Sequence, residues 1–230
     1  MNPSGGGTLS LNTGGDTFRR LASMKENNMI SYKITKDYPS YTTYFYDMID
    51  HYLYKVKEDE PMKWKISPEK MRIGGYETQK ASTDFGGRTW TAWFTPDIPI
   101  QDGPYKFHGL PGLIVKIEDG TQTHSMTLIA QNKIPAQDTN QAKPAGFWLY
   151  SSEVTASKNE FRKAWKDYIS NPSKDISTMG TKMINDGKVI TDQQDMKRSI
   201  EKRVREREEK YNNKIEPGLY EVVSPSGITE

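Results

Sequence analysis

From Ile30 to about Ile134, apolar residues recur at every second position. Tyr32 and Ile34 alternate with lysines, and Tyr44, Tyr46 and Met48 share one face of the next run. The same spacing returns in Tyr52-x-Tyr54-x-Val56, Met62-x-Trp64-x-Ile66 and Trp90-x-Ala92-x-Phe94. It continues in Leu113-x-Val115-x-Ile117 and Met126-x-Leu128-x-Ala130. A period of two, dense in aromatic and β-branched residues, predicts half-buried antiparallel strands. Turn chemistry separates the runs: Pro39-Ser40, Gly74-Gly75, Asp84-Phe85-Gly86-Gly87, and Asp119-Gly120 as the sharpest hairpin signal. Short connections favour neighbours in sequence as neighbours in space, so the runs predict a meander with one buried face.

The period then changes. Ser157-Lys158-Asn159-Glu160 is a capping box, and Phe161, Trp165, Tyr168 and Ile169 line one helical face before Asn171-Pro172 ends it. Ile176, Met179 and Met183 predict a short second helix ending at Asp186-Gly187. Thr191 to Asn213 predicts the longest one, with a narrow stripe of Met196, Ile200, Val204 and Tyr211. The fold expected is α+β: a twisted antiparallel β-sheet or half-barrel, with C-terminal helices packing on it through Phe161, Trp165 and Ile169. The expected organisation is a flexible segment 1–29, a β domain 30–134, a linker 135–150, a helical region 151–213 and a tail 214–230.

Composition narrows the chemistry. The 230 residues carry 32 basic and 30 acidic side chains and no cysteine. Near-neutral charge gives no general attraction to nucleic acid, and the basic residues between Asp195 and Lys214 are interleaved with glutamates, which repel phosphate. Without cysteine there is no disulfide, thiolate nucleophile or Cys-ligated zinc. No apolar run is long enough for a membrane-spanning helix. Met1 to Gly7 lacks the basic and apolar regions of a signal peptide.

One stretch departs from strand and turn. In 95–114, prolines at 96, 99, 104 and 111 fix φ and remove four amide donors, while Gly103, Gly109 and Gly112 permit left-handed turns or close backbone approach. Pro111-Gly112 suits a type II turn with positive φ at Gly112. Apolar residues flanking such a corner pin it down, so Leu110 or Leu113 should be buried. The stretch should be a stiff loop framing a groove.

Pro104, Gly109, Leu110, Pro111, Gly112, Leu113 and Ile114 carry a resemblance to the GLPGLI family, supported by Trp93-Phe94-Thr95-Pro96, Asp102-Gly103-Pro104-Tyr105-Lys106-Phe107 and Gly75-Tyr76. The resemblance implies a cell-envelope, periplasmic or secreted protein of Bacteroidetes-type bacteria, of unestablished biochemical role. Family members usually carry a signal peptide and further strand sequence before the region of Ile30. The resemblance therefore also implies an N-terminally shortened chain.

Candidate chemistry is sparse. The three histidines, His51, His108 and His124, lack metal-site spacing, so no metal and no cofactor is expected. His108 lies near Asp102 in the Pro/Gly loop, which leaves open an envelope hydrolase using His108 and Asp102 as an acid–base pair. The main expectation is non-enzymatic: Tyr44, Tyr46, Tyr52, Tyr54, Trp64, Trp90, Trp93 and Tyr105 either fill a core or offer an aromatic face to an apolar or glycan-like ligand or another envelope protein.

Overall fold

The computed structural model describes residues 32–131, 152–174, 183–185, 188–190 and 193–220. The expected linker 135–150, the N-terminal segment 1–29 and the tail beyond Tyr220 lie outside them. Eight strands run through the first part: β1 (Lys33–Asp37), β2 (Thr42–Ile49), β3 (Tyr52–Lys57), β4 (Lys65–Ile73), β5 (Tyr76–Phe85), β6 (Arg88–Thr95), β7 (Leu113–Asp119) and β8 (Ser125–Thr127). Then come β9 (Ser152–Ala156), α1 (Lys158–Ser170), the pair β10 (Met183–Asn185) and β11 (Lys188–Ile190), α2 (Gln193–Lys210) and the single turn α3 (Pro217–Tyr220). The architecture is α+β, as the pattern predicts.

The single meander is corrected to two sheets. One has order β1-β2-β3-β9 and the other β4-β5-β6-β7-β8. The break falls at residues 58–64, where Glu58-Asp59-Glu60-Pro61 interrupts alternation and proline removes an amide from any continuing ladder. β9 joins β3 in parallel, with Tyr54 opposite Val154. A parallel neighbour needs a long crossover, so a rule favouring sequential pairing could not find it.

Turn chemistry places the ladders. Gly86 and Gly87 both have positive φ, +63° and +87°, as a two-residue hairpin with right-handed strand twist requires. Asp119 closes a longer connection instead of a two-residue turn. Its carboxylate takes the Thr121 hydroxyl at 2.5 Å, the Thr123 hydroxyl at 3.1 Å, the His124 amide at 2.8 Å and Arg88 at 2.9 Å.

The sheets have separate cores. Phe45, Ile49 and Val56 of the four-stranded sheet pack on Phe161, Trp165 and Tyr168 of α1, with Val204 of α2 and Leu219 of α3. The capping box at Ser157 and Glu160 is formed and fixes where α1 starts against the sheet. Trp90, Ala92 and Phe94 of the five-stranded sheet pack on Ala81, Ile117, Phe107 and Leu110. Among the described residues no helix is long and apolar enough to cross a membrane.

Two further expectations are corrected. The run Leu113-Val115-Ile117 does not keep one face: the β6–β7 register shifts between Trp93 and Phe94, pairing Trp93 with Lys116 and Phe94 with Ile114. This bulge carries an extra residue, so Ile114, not Leu113, joins Ile117 in the core. Only the end of the expected short helix falls on described residues, and there Met183–Asn185 is a strand in which Ile184 opposes Val189 and Asn185 opposes Lys188. Ile176 and Met179 lie outside the described residues.

Candidate functional site

The site is built by the loop between β6 and β7, which folds back on itself. Ile100 donates its amide to Ile98 O and Asp102 its amide to Ile100 O, both at 2.8 Å, making two tight three-residue turns. Gly109 N reaches Gln101 O at 3.1 Å, Leu113 N reaches Ile98 O at 3.1 Å and Ile114 N reaches Asp102 O at 2.9 Å. The main chains of Asp102 and His108 form an isolated antiparallel bridge. Pro111 is the centre of a third such turn, with Gly112 N donating to Leu110 O at 2.8 Å. This replaces the expected type II turn. Gly112 has positive φ, +154°, and a Cβ there would lie 2.1 Å from Thr95 O. Close backbone approach to β6 is thus what requires glycine.

Leu110 and Phe107 point inward and are fully buried. Phe107 sits 4.8 Å from the Trp90 ring and 5.5 Å from that of Phe85. Trp64 donates its indole N–H to His108 O at 2.8 Å, tying the loop from the other side.

The outward side of the loop borders a groove of about 610 Å³ lined by Tyr38, Tyr41, Pro99, Ile100, Leu113, Leu128 and Ala130, with Gln131 and Asp102. Tyr38 is 57% and Ile100 41% exposed, large apolar surface left to solvent at this rim. Among the described residues Asp102 is the only charged group in the lining, and it is already engaged. Lys36 Nζ donates to Asp102 Oδ1 at 2.6 Å, to Gly103 O at 2.7 Å and to Phe107 O at 3.0 Å. The Tyr38 hydroxyl donates to Asp102 Oδ2. Burial works against the Asp102 charge, but the Lys36 and Tyr38 hydrogen bonds outweigh it and hold the carboxyl below its ordinary value. Burial of its hydroxyl and the bond to Asp102 push the Tyr38 phenol up. Burial lowers the Lys36 ammonium, and its contacts with Asp102 offset only part of this.

The His108 ring does not face this carboxylate as a partner. Its Nδ1 lies 3.0 Å from Lys106 O, and the ring stacks on Tyr41 with centroids 5.6 Å apart. His51 pairs with Asp50 at 2.9 Å, and His124 sits by the Asp119 turn. Among the described residues no three His, Asp or Glu side chains gather as a metal site.

The aromatic candidates are distributed over several surfaces. Tyr44 and Tyr46 lie on the face of the four-stranded sheet away from α1, with Lys55 Nζ 4.6 Å from the Tyr44 ring and Lys33 Nζ 4.9 Å from the Tyr46 ring. Tyr54 lies on the opposite face against Phe161, at 5.8 Å, and Tyr52 is exposed. Trp90 is fully buried, with its indole N–H on Phe85 O at 3.1 Å. Trp93 is on the other face of β6, with Lys80 Nζ 6.0 Å above it. Tyr105 points between the sheets, where its hydroxyl donates to Glu216 Oε1 at 2.5 Å. Burial, followed by the nearby Glu216 charge, raises that hydroxyl well above its usual value. The groove residues Tyr38, Tyr41, Ile100 and Leu128 come from three separate segments, and Lys36 reaches Asp102 from β1. No local pattern marks them, and Pro39-Ser40 reads only as a turn.

A family model described as a protein of unknown function (Porph_ging) matches residues 85–116, the stretch from the β5–β6 turn through the loop into β7. No curated protein matches the chain. Among solved structures, PNGF-II in its P21 crystal form aligns with a TM-score of 0.41 at 15% identity, covering 62% of this chain and 26% of that one. PNGF-II in its C2 form aligns with the same TM-score and coverage at 14% identity. The chain thus spans about a quarter of the length of these structures.

Proposed function

We propose that the chain is a GLPGLI-type cell-envelope or secreted protein that acts without catalysis, binding an apolar or glycan-like ligand in the groove beside the Pro/Gly loop. One observation carries this reading: the described groove wall is mainly apolar and aromatic, and the one charged residue among its described lining, Asp102, is already held by Lys36 and Tyr38. Such a surface has little left to offer but ring stacking and burial of apolar area. The same arrangement weighs against the hydrolase reading. A general base must be free to take a proton, whereas Asp102 is in an ion pair and His108 Nδ1 faces a carbonyl.

The test is a titration of the purified chain with a fluorescent fatty acid and with a panel of neutral oligosaccharides. One of them should bind saturably, and Ile100→Asp should weaken that binding at least about tenfold while Tm changes little. His108→Ala should leave it within about threefold. No saturable binding by either probe class, or loss of an intrinsic hydrolytic activity in His108→Ala with unchanged Tm, rejects the proposal.

A further inference from the structure

The segment Asn213 to Tyr220 belongs to neither sheet, yet it is bonded to both. Pro217 opens a single helical turn, a position where its missing amide costs nothing, and Leu219 donates its amide to Glu216 O at 3.0 Å. Leu219 is fully buried in the α1 core. Tyr220 donates its hydroxyl to Asp47 Oδ2 at 2.7 Å on β2, and Arg162 of α1 donates to Gly218 O at 2.7 Å. On the other side, Arg88 of β6 donates to Lys214 O at 2.9 Å and to Asn213 Oδ1 at 2.7 Å. Glu216 packs so closely on the β5–β6 turn that a Cβ at Gly86 would lie 2.4 Å from its Cγ.

At the centre of this seam is Lys106, from the groove-framing loop, with 1% of its side chain exposed. Its ammonium pairs with Glu58 at 3.1 Å and with Glu216, whose side chains are 3% and 4% exposed. Three rings surround it, with centroids at 4.9 Å for Phe45, 5.5 Å for Tyr105 and 5.7 Å for Phe85. Lys158 holds the other oxygen of Glu58. A buried ammonium that loses one of two carboxylates is left partly uncompensated, a costly state in a medium of low polarity. The loop's inner residues Tyr105 and Lys106 therefore depend on Glu216. Asp102 lines the groove only three to four positions away, in a backbone cross-linked by the Gly109–Gln101 and Ile114–Asp102 hydrogen bonds.

We propose that residues 213–220 are a strap whose docking sets the conformation of the loop 102–112, so that strap release and groove geometry are coupled. The coupling to ligand rests on the binding reading above; the coupling to the loop does not. By linkage, anything that binds the groove in its framed form tightens the strap, and anything that draws the strap out loosens the groove. Undocking is a local opening, less costly than unfolding either sheet.

Amide hydrogen exchange on the full-length chain, without ligand, tests this. Phe107, Gly109 and Ile114 donate within the loop, to Pro104, Gln101 and Asp102 carbonyls, and report its order directly. Glu216→Gln keeps the shape and removes the charge facing Lys106. It should speed exchange at those three amides by at least about tenfold while the β5 and β6 ladder amides stay within about threefold. Tyr105→Phe removes one hydrogen bond to the strap and should give the same pattern at smaller amplitude; it decides the matter if Glu216→Gln does not fold. Unchanged loop exchange, or equal acceleration across loop and ladders, overturns the proposal. Loss of loop protection in Glu216→Gln, together with no saturable binding of either probe class to the wild type, would uphold the strap and refute the binding reading alone.

Discussion

Asp102 and His108 pair through their main chains as an antiparallel bridge, while their side chains take different partners: Lys36 and Tyr38 for the carboxylate, Lys106 O and Tyr41 for the imidazole. Their nearness in sequence thus serves the backbone. Asp102→Asn should destabilise the chain by about 2 kcal/mol, because the Lys36 ammonium is left among carbonyls without its counter-charge. His108→Ala should cost about 1 kcal/mol or less. Urea melts of the two variants check the ordering; a larger loss for His108→Ala would contradict it.

Gly112→Val should cost on the order of 3 kcal/mol or more, combining unfavourable φ with a clash against Thr95 O. The clash starts at Cβ, so Gly112→Ala should be almost as damaging. Thermal melts that leave Gly112→Ala near wild type would exclude the close approach of the loop to β6.

Phe107 is enclosed by Trp90, Phe85, Tyr105 and Trp64, with ring centroids from 4.8 to 6.3 Å. Phe107→Ala should lose about 3–5 kcal/mol and shift the tryptophan emission to the red as Trp90 and Trp64 gain solvent. Chemical denaturation followed by fluorescence reads both effects at once.

Acid should undo the Asp119 turn late. Burial disfavours the Asp119 charge, but the Thr121, His124 and Thr123 donors and Arg88 outweigh this and hold its carboxyl well below the usual range. A depressed folded value means the stabilisation is present above the ordinary carboxylate value, about pH 4, and is lost as pH falls toward the folded value. Asp119→Asn should therefore be destabilised by about 2 kcal/mol at pH 7 and lose less than wild type below about pH 4. Melting curves at a series of pH values test this; parallel curves for the two proteins would refute it.

How much of this was legible follows from range. Trp90-x-Ala92-x-Phe94 and the glycines at 86 and 87 are local signals, and the ladders form where they predict. Alternation says which residues share a face, not which face is covered. Tyr46 and Met48 are therefore buried on one side of β2 and Phe45 and Ile49 on the other, and the tyrosines read as one aromatic surface occupy two. The bulge at Val115 and the parallel pairing of β9 depend on the partner strand. The groove draws on Tyr38, Ile100 and Leu128, and Lys106 looks like an ordinary surface lysine until Glu58 and Glu216 arrive from distant segments.

The reach of that last contact has a consequence for biosynthesis. Tyr105 and the carboxylate that receives its hydroxyl are 111 positions apart. A ribosome adding about 5–20 residues each second needs roughly ten seconds to cover that interval. Throughout it Lys106 has only one of its two carboxylate partners, Glu58. The seam can lock only after residues 213–220 have been translated.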